Sequence, residues 1–131
     1  MNSQNKNEKE KQDKKLYKRI TDCLYKIGVS PQVKGFTCLR EAIKVCLKNG
    51  ALRGELSKTV YPEAARNTGS TKVRVERNIR HAVGRLDDTE RINKINGLLG
   101  CEALTKYDKP TSGLIIYLLA EKLSEDSDIG A

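Results

Sequence analysis

This chain has no tryptophan and a single phenylalanine, and aromatic residues make up only 5% of it. That scarcity excludes the rows of stacking rings with which single-strand nucleic-acid binders hold their bases. There is one histidine, His81, and none of the four cysteines (Cys23, Cys38, Cys46 and Cys101) forms a CxxC pair. No ligand set with zinc spacing exists, so no metal is expected. Nor is there a Cys–His or Ser–His–Asp constellation, or a glycine loop that would cradle a phosphate. The sequence therefore offers no basis for an enzyme and calls for no cofactor. In a reducing compartment the thiols read as small core or near-core hydrophobes. No apolar run reaches the roughly 18 residues that a membrane span requires. The longest, Leu114 to Ala120, reads as a core helix, and the N-terminus lacks an apolar signal-peptide segment. A cytoplasmic protein with no membrane partner is expected.

Positive charge is what the chain has in excess: 25 Lys and Arg against 17 Asp and Glu, a net charge of +8. Such a balance favours an anionic partner but says nothing about fold. The length, 131 residues, suits one domain. Residues 1–13 (MNSQNKNEKEKQD) are polar and lack an apolar repeat, which predicts a disordered charged tail. From Lys14 the pattern turns helical. Leu16, Ile20, Leu24 and Ile27 recur every three or four residues up to Gly28, and Phe36, Leu39, Ile43, Cys46 and Leu47 mark a second helix closed by Asn49-Gly50. Arg40 and Glu41 read as its polar face. A short helical piece near Leu56 to Tyr61 precedes a helix over 62–67, then the turn Thr68-Gly69-Ser70. Ile92, Ile95, Leu98 and Leu99 trace a further helix, and Gly113 to Leu123 a last one. Residues 125–131 read as a frayed acidic end. Strand signals are nearly absent, so the fold class is all-α, with the folded domain over 14–124.

The stretch STKVRVERNIRHAVGRL, Ser70 to Leu86, concentrates four arginines, a lysine and the histidine. At ~100° per residue, Val75, Ile79, Ala82, Val83 and Leu86 gather into one core-facing stripe. The far side collects Val73, Arg77, Arg80 and His81, with Arg74 and Glu76 on its shoulders. A short helix, a turn with Gly69 and a longer helix make the helix-turn-helix layout, whose second helix enters the major groove. There an Arg can fork to guanine and a Glu can accept from the cytosine amino group. Glu76 suits base reading better than a surface made for phosphates alone, or it pairs with a neighbouring Arg. Val73 is placed to touch a thymine methyl, or is simply one exposed valine.

IGVSPQVKGFTCLREAI, TVYPEAA, RVERNIRHAV and TKYDKPTSGLIIYLLAEKL resemble the C-terminal effector domain of the stage 0 sporulation protein A family, sporulation response regulators, from about Ile20 to Leu123. The resemblance implies a compact bundle of about six helices with a helix-turn-helix, binding duplex elements related to TGTCGAA. It implies base contacts by Arg74, Glu76 and Arg77 and phosphate contacts near Arg80 and His81; Lys72, a cation near the turn, and Val73, on the outward face, are expected to join them at the backbone or groove. The helix after the reader is implied to meet the primary sigma factor of RNA polymerase, here through Arg85, Asp87, Asp88, Glu90 and Arg91.

Departures from the family pattern shape the expectations. Val73 replaces a common Ser, Gly84 stands where the family has a side chain, and RLDDTER replaces a differently charged run. The family's receiver domain has no counterpart before the tail, so pairing is expected on tandem DNA sites, with a monomer otherwise. The expected function is a sequence-specific double-stranded DNA-binding transcription regulator. The alternative is an interaction module or competitor that engages the sigma factor or a full-length homologue.

Overall fold

The computed structural model describes residues 3–50 and 55–130, with side chains described over 7–50 and 55–126. Six α-helices follow in order: α1 (Ser3–Lys26), α2 (Gly35–Asn49), α3 (Tyr61–Thr68), α4 (Lys72–Gly84), α5 (Thr89–Leu99) and α6 (Ser112–Gly130). A π-helical turn, Leu56–Val60, runs directly into α3. It closes with bonds five residues apart, Val60 N–H to the Glu55 carbonyl and Tyr61 N–H to that of Leu56. Among the described residues there is no strand, and none of the helices is long and apolar enough to cross a membrane.

α2 is the hub. α1, α3, α4 and α6 all pack on it, and α5 leans on α1. Its buried residues, Gly35, Phe36, Cys38, Leu39, Glu41, Ala42, Ile43 and Val45, cover more than half of its circumference, as a helix packed on several neighbours requires. Ile20, Leu24 and Ile27 of α1 and Ile115, Ile116 and Leu119 of α6 close over Leu39 and Ile43 to form the core. Burying each such side chain contributes about 1.5–3 kcal/mol before conformational entropy is counted. The apolar richness of α6 is thus largely absorbed by the interior.

Four expectations need correction. Helix α1 starts at Ser3 rather than Lys14, taking in most of the expected disordered tail. Its early turns lack apolar residues but are made of Glu, Lys and Gln, all good helix formers. Asp13 then ties the helix to α2 through an ion pair with Lys48. Helix α6 likewise continues to Gly130, through most of the segment expected to fray; Met1, Asn2 and Ala131 lie outside the described residues. Cys101 is exposed, because it follows the glycine that ends α5. Finally, Glu41 is no surface residue. It is 4% exposed and accepts hydrogen bonds from Tyr17 Oη and from Asn67 Nδ2 (2.9 Å), beside Lys44 Nζ at 3.0 Å. Arg40 is half-buried, its guanidinium over the Tyr17 and Phe36 rings at 5.1 and 5.7 Å. Helical periodicity misjudged Glu41 because the wet face of α2, Thr37, Arg40, Lys44 and Lys48, is narrow and Glu41 lies just beside it.

Candidate nucleic-acid interface

The turn between α3 and α4 is built from its local sequence. Gly69 adopts φ 66°, a left-handed conformation that costs a side-chain-bearing residue strain. There its N–H reaches back to the Arg66 carbonyl (3.4 Å), while Ser70 N–H reaches that of Ala65 (2.9 Å). These two bonds satisfy the end of α3 and reverse the chain. Thr71 is extended, and its hydroxyl accepts from Arg74 N–H at 3.2 Å, capping α4. The turn is therefore Gly69-Ser70-Thr71, one residue later than the sequence suggests.

Helix α4 lies on α2 at very close range. A Cβ added to Gly35 would fall 2.1 Å from the Asn78 carbonyl oxygen and 2.7 Å from Ala82 Cβ. Only glycine permits this approach, and it sets the depth of the helix. Burial pushes the ionisation of the Cys38 thiol up, while the nearby Asn78 side chain acts the other way. From α3, Asn67 reaches the buried Glu41, so both helices of the motif are anchored to one hub. Gly35, Asn67 and Asn78 escaped the sequence reading. A glycine opening an amphipathic helix was the available signal for the first.

With the helix seated, its two faces separate as the wheel indicates. Val75, Ile79, Ala82 and Val83 are buried, with Leu86 just beyond. Lys72, Val73, Arg74, Arg77, Arg80 and His81 are exposed, and Glu76 is half-buried between them. Val73 is 67% exposed, an unusual setting for a valine flanked by cations. Glu76 lies close enough to Tyr61, at the foot of α3, to act on its phenol. Burial first, and then the Glu76 carboxylate, raise that hydroxyl above its ordinary value. Among the described residues neither Glu76 nor any of Lys72, Arg74, Arg77 and Arg80 has an ion-pair partner. The Glu76–Arg pair considered from the sequence is not formed.

The residues expected to meet a polymerase are divided. Asp88 caps α5, accepting from Arg91 N–H (2.8 Å) and pairing with Arg91 Nη1 (2.7 Å). Those bonds, the backbone one first, hold its carboxyl below the usual range. Glu90 pairs with Lys94 at 3.3 Å, and Asp87 is exposed. Arg85 sits apart from them, at the end of α4 beside His81. Burial pushes the Cys23 and Cys46 thiols up, Cys46 to about 11, so neither is primed as a thiolate. Among the described residues no three His, Cys, Asp or Glu side chains converge as a ligand set.

Residues 20–123 match the family model described as sporulation initiation factor Spo0A C terminal, a match that takes in the C-terminal end of α1, α2 to α5 entire and most of α6. An all-helical domain with an exposed, unpaired basic helix behind a capped turn is what a DNA-binding effector domain of this kind requires. The chain belongs to the Spo0A C-terminal family, a family of DNA-binding domains of sporulation transcription regulators.

Proposed function

We propose that the chain is a sequence-specific regulator that reads duplex elements related to TGTCGAA with the first turns of α4. Arg74 and Arg77 donate to guanine edges and Glu76 accepts from a cytosine amino group. Lys72, Arg80 and His81 meet phosphates, with Val73 in the groove. The observation that carries this reading is the unpaired state of the cations on one face of α4, around a half-buried Glu76 that also lacks a partner. A carboxylate kept among arginines without pairing to them is available for a base. It works where the chromosome lies, in the cytoplasm. On tandem sites two copies pair, DNA supplying the effective concentration.

The test is a binding series across single-base variants of the duplex at fixed salt. Glu76→Ala is expected to lose discrimination at one base pair, about 1–3 kcal/mol. Its affinity for scrambled DNA stays level or rises, since a negative charge has left a surface facing phosphates. Uniform weakening with base preference intact would instead make Glu76 a structural residue.

A second reading rests on the start of α5. Asp87 and Glu90 are exposed there on the side of the molecule that follows the reader. Through them, with Asp88 and Arg91, the domain engages the primary sigma factor or a full-length homologue. Asp87→Ala with Glu90→Ala is expected to spare DNA binding while reducing transcription in a purified polymerase assay.

A further inference from the structure

Beside the recognition helix lies a second basic feature, a groove of about 470 Å³ between the loop that precedes α2 and the C-terminal half of α4. Ser30, Gln32 and Lys34 line one wall, and Asn78, His81 and Arg85 the other. No carboxylate lines it. Lys34, His81 and Arg85 are exposed, and none has an ion-pair partner among the described residues. The loop is held in shape by its own bonds. Gln32 N–H donates to Ser30 Oγ (3.2 Å), Val33 N–H to the Ser30 carbonyl (3.2 Å) and Phe36 N–H to that of Val33 (3.1 Å). The contact of Gly35 with Asn78 sets how far apart the walls stand.

The groove continues the reading surface. Arg74, Arg77, His81 and Arg85 follow one another at three- or four-residue steps, a stripe ~16 Å long at 1.5 Å per residue. A helix that reads bases with its first turns carries its last turns out over the sugar–phosphate backbone. We propose that this groove is a phosphodiester-binding site: Lys34 and Arg85 clamp the backbone of the duplex flanking the element read by α4, with the Gln32 and Asn78 amides as neutral donors. The proposal rests on the DNA-reading function and extends it to the loop before α2. It moves Arg85 from the polymerase surface to the DNA. The neutral donors, with only Val33 and Ala82 as apolar lining, favour a phosphate backbone over an acidic protein segment.

Lys34→Ala, Arg85→Ala and the double variant would be titrated with specific and scrambled duplexes at several salt concentrations. Each single change should flatten the log–log salt dependence by about 0.9, and the double change by about twice that, on both duplexes. The base preference should not move. Cutting the duplex back to the recognised element on that side should erase the difference between wild type and variants. Both side chains are exposed, and circular dichroism melting should show the fold intact. If the salt slope is unchanged in both variants while Arg80→Ala still flattens it, the groove proposal fails and DNA reading stands. If the wild type binds no duplex at all, both fail. Loss of binding to polyglutamate in variants that bind DNA normally would overturn the proposal in favour of an acidic protein partner.

Discussion

α4 and α5 follow one another in the chain, and each is capped by a side chain of its own N-terminus, yet they handle charge in opposite ways. On α5 the charges close on themselves: Asp88 holds Arg91, and Glu90 holds Lys94. Such pairs at three- and four-residue spacing stabilise a helix locally by a few tenths of a kcal/mol each. On α4 the cations stand side by side with no partner among the described residues. Like charges so arranged repel one another, and the arrangement makes sense when an external anion completes it. Pairing therefore marks a finished surface and its absence an unfinished one. Beneath both, Glu41 presents the extreme of the paired condition, buried with every oxygen engaged.

Removing that buried partner should have the largest effect. Glu41→Ala strands the Lys44 ammonium, the Tyr17 hydroxyl and the Asn67 amide together, and an uncompensated buried charge costs about 3–5 kcal/mol. Denaturant unfolding should show this loss, with DNA affinity falling only as far as the folded fraction does. Burial opposes ionisation of Glu41, but the bonds from Tyr17, Lys44 and Asn67 outweigh it and hold its carboxyl below the ordinary 4.5. A depressed folded value means the stabilisation is complete above that ordinary value and is lost as pH falls through the folded one. The Glu41→Ala variant should accordingly show a weaker acid dependence of stability below pH 4.5 than the wild type. An unchanged profile would remove Glu41 from the linkage.

The next effect concerns how the unfinished surface is presented. Gly35→Ala drives a methyl against the Asn78 carbonyl, and backbone cannot yield as a side-chain tip does. Overpacking of this kind costs about 1–3 kcal/mol. Because α4 is what must move, specific binding should fall further than stability alone accounts for. Specific affinity measured well below the melting temperature separates the two contributions.

A smaller but sharper test exchanges the roles of the two helices. Arg77→Ala should leave melting within about 0.5 kcal/mol of wild type, as surface changes without partners do, and should weaken DNA binding. Asp88→Ala should do the reverse, lowering the melting temperature by removing the α5 cap while the salt dependence of DNA binding holds. Arg77→Ala melting markedly lower, or Asp88→Ala binding DNA poorly, would break the division between finished and unfinished surfaces.

How much of this was legible beforehand follows the same division. The stripe Val75, Ile79, Ala82, Val83 and the exposed set around it could be read because α4 has one wet face and one dry one. Periodicity reports that condition directly. It failed for α2, where Glu41 lies among apolar residues on a helix covered on most sides. It failed again at the N-terminal half of α1, whose helix owes more to propensity than to burial. Tertiary contacts such as Gly35 with Asn78, or the groove joining Lys34 to Arg85, bring together residues more than 40 positions apart. No local pattern carries that information.

Val73 marks the finest point of the comparison, since it is apolar on the unfinished face and 67% exposed. Water gives it no reason to be there, whereas a thymine methyl in the major groove would. If the two meet, replacing thymine by uracil at the facing position deletes that methyl and nothing else. Losing one buried methyl should cost about 0.8 kcal/mol, roughly a fourfold weakening. Uracil scanned through every thymine of the element should thus reveal one sensitive position against a flat background. Val73→Ala should bind the thymine duplex more weakly and no longer distinguish it from the uracil duplex at that position. The arginine contacts are untouched by either change, so salt dependence should stay constant throughout the series. A scan that is flat for the wild type would leave Val73 as an exposed valine on a face whose reading is done by charge alone.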